Sequence, residues 1–195
     1  MARVTQSLKM FPATPSRWAD IETLFGERGA CGGCWCMFWR KSRKQYEGDK
    51  GSKNKQAFKQ IVSQGLKPGI IAYLDKEPVG WCAVAPRNNY VALERSRILK
   101  PVDDQPVWSV SCLFVRRDFR RQGVASKLLS AAVEFAGRQG AKIVEGYPVE
   151  PSSNSMPDPF LWHGVPSAFK AAGFKEVLRR SKSRPIMRYE LTPRK

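Results

Sequence analysis

The spacing of apolar positions shifts along this chain from strand-like to helix-like and back, and each shift marks an element. Residues 4–11 can form a first strand, after which Thr14-Pro15 has the form of an N-cap followed by proline at the first helical position. Trp18, Ile21, Leu24 and Phe25 share one face of the helix that follows, and Gly26 and Gly29 close it. Ala57, Phe58, Ile61 and Val62 form a second helical face, stopped by Gly65 and the Lys67-Pro68-Gly69 turn. Residues 70–74 and 79–85 are β-prone runs joined by Asp75-Lys76-Glu77-Pro78 as a hairpin. Residues 107–115 contain no charged side chain, the composition of a strand covered on both faces. Val124, Leu128, Leu129, Ala132, Val133 and Ala136 then recur at helical spacing, and residues 141–148 supply a fifth strand. A short helix over 167–172 ends at Gly173, and residues 174–179 and 185–191 pair as a terminal hairpin.

The segments between these elements are polar. Residues 40–55 carry seven positive and two negative side chains with glycines between them and read as a solvated, mobile loop. Residues 86–106 form an irregular insertion whose most site-like members are Arg87, Tyr90 and Arg95. Serine and proline make 151–159 a loop.

A length of 195 residues suits one α/β domain over 1–195, and 42% hydrophobic content with six tryptophans describes a folded chain. No run is long enough to span a bilayer, and the first residues lack the apolar core of a signal peptide, so a cytoplasmic protein is expected. Five cysteines, an odd number, fit reduced thiols. The charge changes the picture more: 34 − 17 = +17, a field that attracts nucleic acid, an acidic surface or the phosphates of a nucleotide cofactor.

Among these partners the residues around 112–126 point to phosphate. An apolar strand hands directly into a helix whose first turn holds N–H groups without intrahelical partners and the positive end of the helix dipole. Gly123 and Ala125 leave the main chain approachable, and Arg117, Arg120 and Arg121 surround it with charge. Arg120-x-x-Gly123-x-Ala125 in this setting resembles the acetyl-CoA signature of the GNAT superfamily of N-acetyltransferases. The order of strands and helices on either side is similar to the family's from residue 70 to 191.

That resemblance implies a single-domain GNAT-like fold with a mixed central sheet of about six to seven strands flanked by about four helices. It implies acetyl-CoA as co-substrate, its pantetheine paired with the strand edge at Leu113, Phe114 and Val115. Arg120 and Arg121, with the main chain of Gln122, Gly123, Val124, Ala125 and Ser126, would hold its pyrophosphate. The reaction implied is acetyl transfer to a primary amine of a small-molecule or protein acceptor, by direct attack on the thioester.

Such chemistry needs a neutral amine, a polarised carbonyl and a leaving thiolate that is stabilised or protonated. Glu145 interrupts an apolar strand and is the expected base, or else the partner of Arg87 or Arg116 in an ion pair. Family members often carry an acidic tyrosine four residues before the glycine of a Gly-Phe pair, where this chain has Phe169. Tyr147 and His163, the only histidine, are the candidate replacements.

The connection after the first helix holds Cys31-Gly32-Gly33-Cys34-Trp35-Cys36-Met37-Phe38-Trp39. By resemblance it forms a wall of the acceptor site, with Trp35, Cys36, Phe38 and Trp39 offering flat or soft faces to an aromatic or cationic group and Arg87 nearby. Packing as an apolar pocket wall without a bound metal is the expected state, and a zinc site completed by Cys82, Cys112 or His163 is its alternative. That alternative belongs to a different class of protein, a non-catalytic GNAT-like nucleic-acid binder or acetyl-CoA sensor. Nothing in the sequence sets an oligomeric state, and a dimer is compatible with it.

Overall fold

A computed structural model describes residues 7–151 and 162–192. Seven strands form one mixed sheet: β1 (Leu8–Pro12), β2 (Gly69–Leu74), β3 (Glu77–Pro86), β4 (Trp108–Val115), β5 (Ile143–Gly146), β6 (Lys175–Arg179) and β7 (Pro185–Glu190), in the order β1-β2-β3-β4-β5-β7-β6. All neighbours are antiparallel except β4 and β5. Around it lie α1 (Trp18–Phe25), α2 (Arg43–Gly48), α3 (Ser52–Ser63), α4 (Val91–Glu94), α5 (Val124–Arg138) and α6 (Pro166–Ala171). The expected architecture is present with more helices than the sequence suggested, because α2 and α4 arise from segments read as irregular.

Each face of the sheet is sealed by a helical stripe. On one face Val124, Leu128, Leu129, Ala132 and Val133 of α5 cover Ile70, Cys82, Val84, Val110 and Val144. On the other, Trp18, Ile21 and Phe25 of α1 with Phe58 and Val62 of α3 pack over Ile71, Tyr73, Trp81 and Ala83. The polar insertion after β3 is not a free loop: Tyr90, Leu93 and Leu99 are buried against Ala85, Tyr147 and Ile186.

The basic stretch 40–55 is also ordered. Ser42 and Gln45 form a reciprocal capping box that starts α2, which places Tyr46 in the core. Lys41 donates to Asp49 at 2.9 Å and to Asn54 at 2.8 Å, and Lys55 pairs with Glu22 at 2.8 Å. Part of the charge that suggested a solvated loop is therefore neutralised within the fold. The loop over 151–159 falls almost wholly outside the described residues.

One feature of the sheet creates the site. β4 and β5 pair only through Trp108↔Val144, Ser109↔Glu145 and Val110↔Gly146 and then separate. The wedge between them is bridged by chain from further on, where the Leu113 N–H donates to the Trp162 carbonyl at 2.7 Å and the Val149 N–H to the Gly164 carbonyl at 2.9 Å.

Candidate active site

From β4 the chain passes through a short 3-10 turn, Arg117–Phe119, into α5. Arg121 (φ 58°) and Gly123 (φ 75°) occupy the left-handed region, with Gly123 as the N-cap of α5. A Cβ built at Gly123 would meet only the Ser126 Oγ, at 3.9 Å, so the backbone angle demands the glycine and the space before it is open. The Ser126 hydroxyl donates to the Gly123 carbonyl and the Gln122 amide to the Asp118 carbonyl, each at 2.9 Å, which stiffens the turn. Arg120 donates through Nε to the Val115 carbonyl at 2.9 Å and is thereby tied to the end of β4.

In front of this junction lies a cavity of about 410 Å³, between Arg120, Arg121, Gly123, Val124, Ala125 and Ser126 on one side and Ser167, Ala168 and Ala171 on the other. A second cavity of about 380 Å³ runs on along Leu113, Phe114 and Val115 and shares Val115, Arg120, Ala125, Val165 and Ala168 with the first. A third, of about 160 Å³, opens from it past Ala30, Cys31, Phe114 and Trp162 and is walled by Cys34, Cys36, Phe38, Tyr46 and Cys112. Together they make one groove leading from a cationic helix terminus to an aromatic, thiol-lined chamber. Of the ten residues expected to hold the co-substrate, all but Gln122 line it, and Leu113 does so with its N–H already taken by Trp162.

The expected acceptor wall divides. Cys36 and Phe38 line the chamber, and the Phe38 ring meets Trp39, Tyr46 and Trp162 edge-on at 4.9, 5.2 and 5.2 Å. Trp39 stands behind it, donating its indole N–H to His163 Nε2 at 3.1 Å. Trp35 is instead a core residue, its ring 6.2 Å from Trp18 and 5.7 Å from Phe25, because the turn at 34–37 rotates it inward.

Arg87 also departs from expectation. Its guanidinium is buried, donating to the Tyr147 hydroxyl (2.6 Å) and to the carbonyls of Leu93 (3.3 Å) and Leu99 (2.8 Å), and pairing with Glu94 (2.6 Å). Few donors remain for a substrate.

The same network removes Glu145 and Tyr147 from proton transfer. Glu145 is fully buried and accepts from Arg188 Nε at 2.7 Å, from Arg87 Nη1 at 3.3 Å and from the Tyr147 hydroxyl at 2.7 Å. Arg188 extends the chain to Asp103 with bonds of 2.6 and 3.0 Å. This carboxylate is held between two guanidiniums and does not line the groove, so its position is that of an ionic tie of the sheet rather than a base. Of its two expected partners Arg87 is real, whereas Arg116 pairs with Glu77. Burial, and after it the charge of Glu145, pushes the Tyr147 hydroxyl well above its ordinary range.

His163 lies 6% exposed against the Trp162 ring, with centroids 3.5 Å apart. Burial, then the charge of Arg184, drives its pKa well below the usual value, so the ring is neutral. Since Nε2 accepts from Trp39, the proton of the neutral ring sits on Nδ1, which is buried without a protein partner among the described residues. His163 thus orients Trp39 and Trp162 and does not itself line the groove. Phe169, where a tyrosine was anticipated, is fully buried with its ring against Gly146 and Gly164.

Residues 35–155 match the acetyltransferase (GNAT) family. The chain belongs to that family. Its fold is shared with the PaiA N-acetyltransferase of Thermoplasma acidophilum in complex with coenzyme A, at 18% identity over 95% of this chain and 99% of that one, with a TM-score of 0.52. It is also similar to yncA of Salmonella typhimurium with its cofactor acetyl-CoA (13% identity, 96% and 95% covered, TM-score 0.55). Arabidopsis thaliana NAA60 in complex with acetyl-CoA is a further neighbour (14%, 95% and 100%, 0.51). No curated protein matches the sequence as a relative.

The groove runs from the strand-to-helix junction at one end to the aromatic, thiol-lined chamber at the other. Cys34, within the expected wall segment, lines that chamber, and Tyr46, Trp162 and Cys112 line it without having been expected as acceptor-site residues. Tyr46 and Cys34 share the chamber wall, and burial raises the pKa of both groups. The signal for Tyr46 was the Ser42/Gln45 capping box, which places it in a helix facing inward. Among the described residues no group of three or more His, Cys, Asp or Glu side chains is placed to hold a metal ion, so the zinc reading of the Cys31 cluster has no geometry to support it. Nor, among them, is any helix long and apolar enough to cross a membrane.

Proposed function

We propose that this GNAT protein transfers the acetyl group of acetyl-CoA to a primary amine of a small-molecule or protein acceptor. The observation that carries the reading is the junction of β4 and α5: a left-handed Gly123 at a helix N-terminus, flanked by Arg120 and Arg121, opening onto a groove that ends in an aromatic, thiol-lined chamber. The residues fit the co-substrate at its anionic end. Main-chain N–H groups of the first turn of α5 and the neighbouring guanidiniums would hold the pyrophosphate. The apolar slot over Phe114 and Val115 suits the pantetheine, with the Leu113 N–H open to it once the Trp162 carbonyl withdraws.

The chamber says something about the acceptor. Its aromatic and thiol walls include no carboxylate to pair with an ammonium, so desolvation there shifts an entering amine toward the neutral, nucleophilic form. An acceptor whose amine is carried on an apolar or aromatic group fits these walls.

The test is thermal. Acetyl-CoA at a hundred times its Kd should stabilise the protein by about 2.7 kcal/mol, a rise in melting temperature of about 5–10 °C for a chain of this size. No shift at saturation refutes the reading. A panel of amines scored by release of free CoA thiol then identifies the acceptor.

A further inference from the structure

A cavity of about 300 Å³ lies at the end of β4 opposite the groove, between the turn after α3, the C-terminus of α5 and the start of the insertion that follows β3. It shares no lining residue with the three cavities of the groove. Ile61, Trp108 and Phe135 give it an apolar floor, and its polar side chains are Arg40, Lys67, Asn89 and Gln139. Among the described residues no carboxylate lines it.

Arg40 is the member that points to a ligand. Its guanidinium carbon stands 4.7 Å from the centre of the Tyr90 ring, and Nη2 reaches the Tyr90 hydroxyl only at 3.5 Å. Its Nε is buried and has no hydrogen-bond partner. Arg87 and Arg188, the buried arginines of the sheet, each pair with two carboxylates. Among the described residues Arg40 pairs with none, and neither does Lys67, which is exposed on the same cavity. A buried guanidinium donor without an acceptor is costly, and an acceptor entering from outside removes that cost.

The two helix ends beside the cavity do not supply the acceptor. At the end of α3 the Gln60 and Val62 carbonyls accept from the Gln64 and Gly65 N–H groups. At the end of α5 the carbonyls of Phe135, Ala136 and Gly137 accept from Gln139, Gly140 and Ala141.

We propose that this cavity binds a small organic anion, its carboxylate or phosphate group held by Arg40 and Lys67 and its aromatic or apolar body lying against Trp108 and Phe135. The inference stands apart from the acetyl-CoA reading, since neither cation belongs to the groove. Bonds from a guanidinium to an oxyanion are among the strongest a side chain makes, and the amides of Asn89 and Gln139 add neutral donors. The volume is at the small end for ligand sites and suits a single ring. Arg40 follows Phe38 of the chamber by two residues, on a turn fixed by the Arg40 and Lys41 N–H groups bonding the Met37 carbonyl at 3.0 and 3.2 Å. The anion site and the acceptor wall are thus built on one turn.

The experiment uses the full chain labelled with nitrogen-15, in NMR spectra that record main-chain amides and arginine Nε–H groups. Benzoate and phenyl phosphate are the probes. Benzylamine and benzyl alcohol are their cationic and neutral counterparts, and inorganic phosphate is the anion without a ring. The Arg40 Nε–H signal is identified by its loss in Arg40→Lys. The expected result is a saturable shift of that signal and of the Gly65, Lys67 and Asn89 amides, with a Kd of about 1 mM or tighter for the better aryl anion. Which of the two binds better tells carboxylate from phosphate. Inorganic phosphate should bind about tenfold more weakly, for lack of apolar contact, and benzylamine should not saturate. Arg40→Gln and Lys67→Glu should each weaken binding about tenfold; Lys67 is exposed, so its variant decides the matter even if Arg40→Gln does not fold. Equal binding of benzyl alcohol or benzylamine overturns the anion assignment, as does binding unchanged in both variants. Inorganic phosphate binding as tightly as phenyl phosphate overturns the apolar half of the site. Shifts confined to residues 113–126 would put the anion in the groove and overturn the second site, and so would the absence of saturation by either aryl anion below about 10 mM.

Discussion

Replacing Glu145 by glutamine separates structural from catalytic use of that carboxylate. The side chain is 0% exposed and sits between Arg87, 8% exposed at its side chain, and Arg188, 6% exposed. Glutamine keeps the shape, removes the charge and turns an NH₂ donor toward guanidinium donors, so two buried cations lose their shared anion. Breaking a buried pair by removing one partner costs about 3–5 kcal/mol. At roughly 2–4 °C per kcal/mol for a chain of this size, the melting temperature should fall by about 6–20 °C. Arg188 keeps Asp103 and Arg87 keeps Glu94, which places the expected loss toward the lower end. The assay is a thermal melt by circular dichroism with and without acetyl-CoA, at a temperature where the variant begins folded. The acetyl-CoA shift should survive, because the groove lies beyond this network. A melting temperature within about 2 °C of wild type would refute the ionic-tie argument, and an unchanged melt with a large loss of turnover would restore Glu145 to the chemistry.

Gly123→Val should abolish the acetyl-CoA shift, since a β-branched residue at φ 75° is strained and its methyls would stand in the open space before the helix; full retention of the shift would mislocate the pyrophosphate. Ser42→Ala removes the capping box of α2 and should destabilise by about 1 kcal/mol, measured by urea unfolding, with Tyr46 losing its fixed position beside Cys34. His163 is held neutral in the folded protein, so the unfolded chain takes up a proton first as pH falls. Its contribution to stability is intact above about pH 6.5 and is lost progressively below it until the depressed folded pKa is passed. Urea midpoints between about pH 7 and 5 should fall less steeply in His163→Gln than in wild type, and parallel slopes would count against a neutral buried ring.

Where the sequence carried its own local reason, the structure was legible. The uncharged run of β4, the glycine at the start of α5 and the helical stripe of Val124, Leu128 and Leu129 each needed only neighbours within a few residues. Local pattern failed where partners came from far away. Arg87 is one of the two partners expected for Glu145, but Arg188, 43 residues away, is a partner that no spacing rule offers. The aromatic segment after α1 was recognised as a wall, yet it has no helical or strand period to say that Phe38 faces the chamber while Trp35 faces the core. In the basic stretch the count of lysines outweighed a capping signal that was present all along at Ser42 and Gln45.

The hydrogen bond from Leu113 to the Trp162 carbonyl has a thermodynamic consequence for ligand affinity. The free protein has no bare strand edge there: a few residues of its own chain act as a surrogate strand, which also shields β4 from pairing with another molecule. A ligand amide that docks on Leu113 therefore exchanges one acceptor for another, and that bond adds little net free energy. Affinity is left to the charged end of the groove and to apolar area, so it should weaken as salt screens Arg120 and Arg121. On the proposed acetyl-CoA reading, the strand edge would set the alignment of the ligand and the helix terminus how tightly it is held.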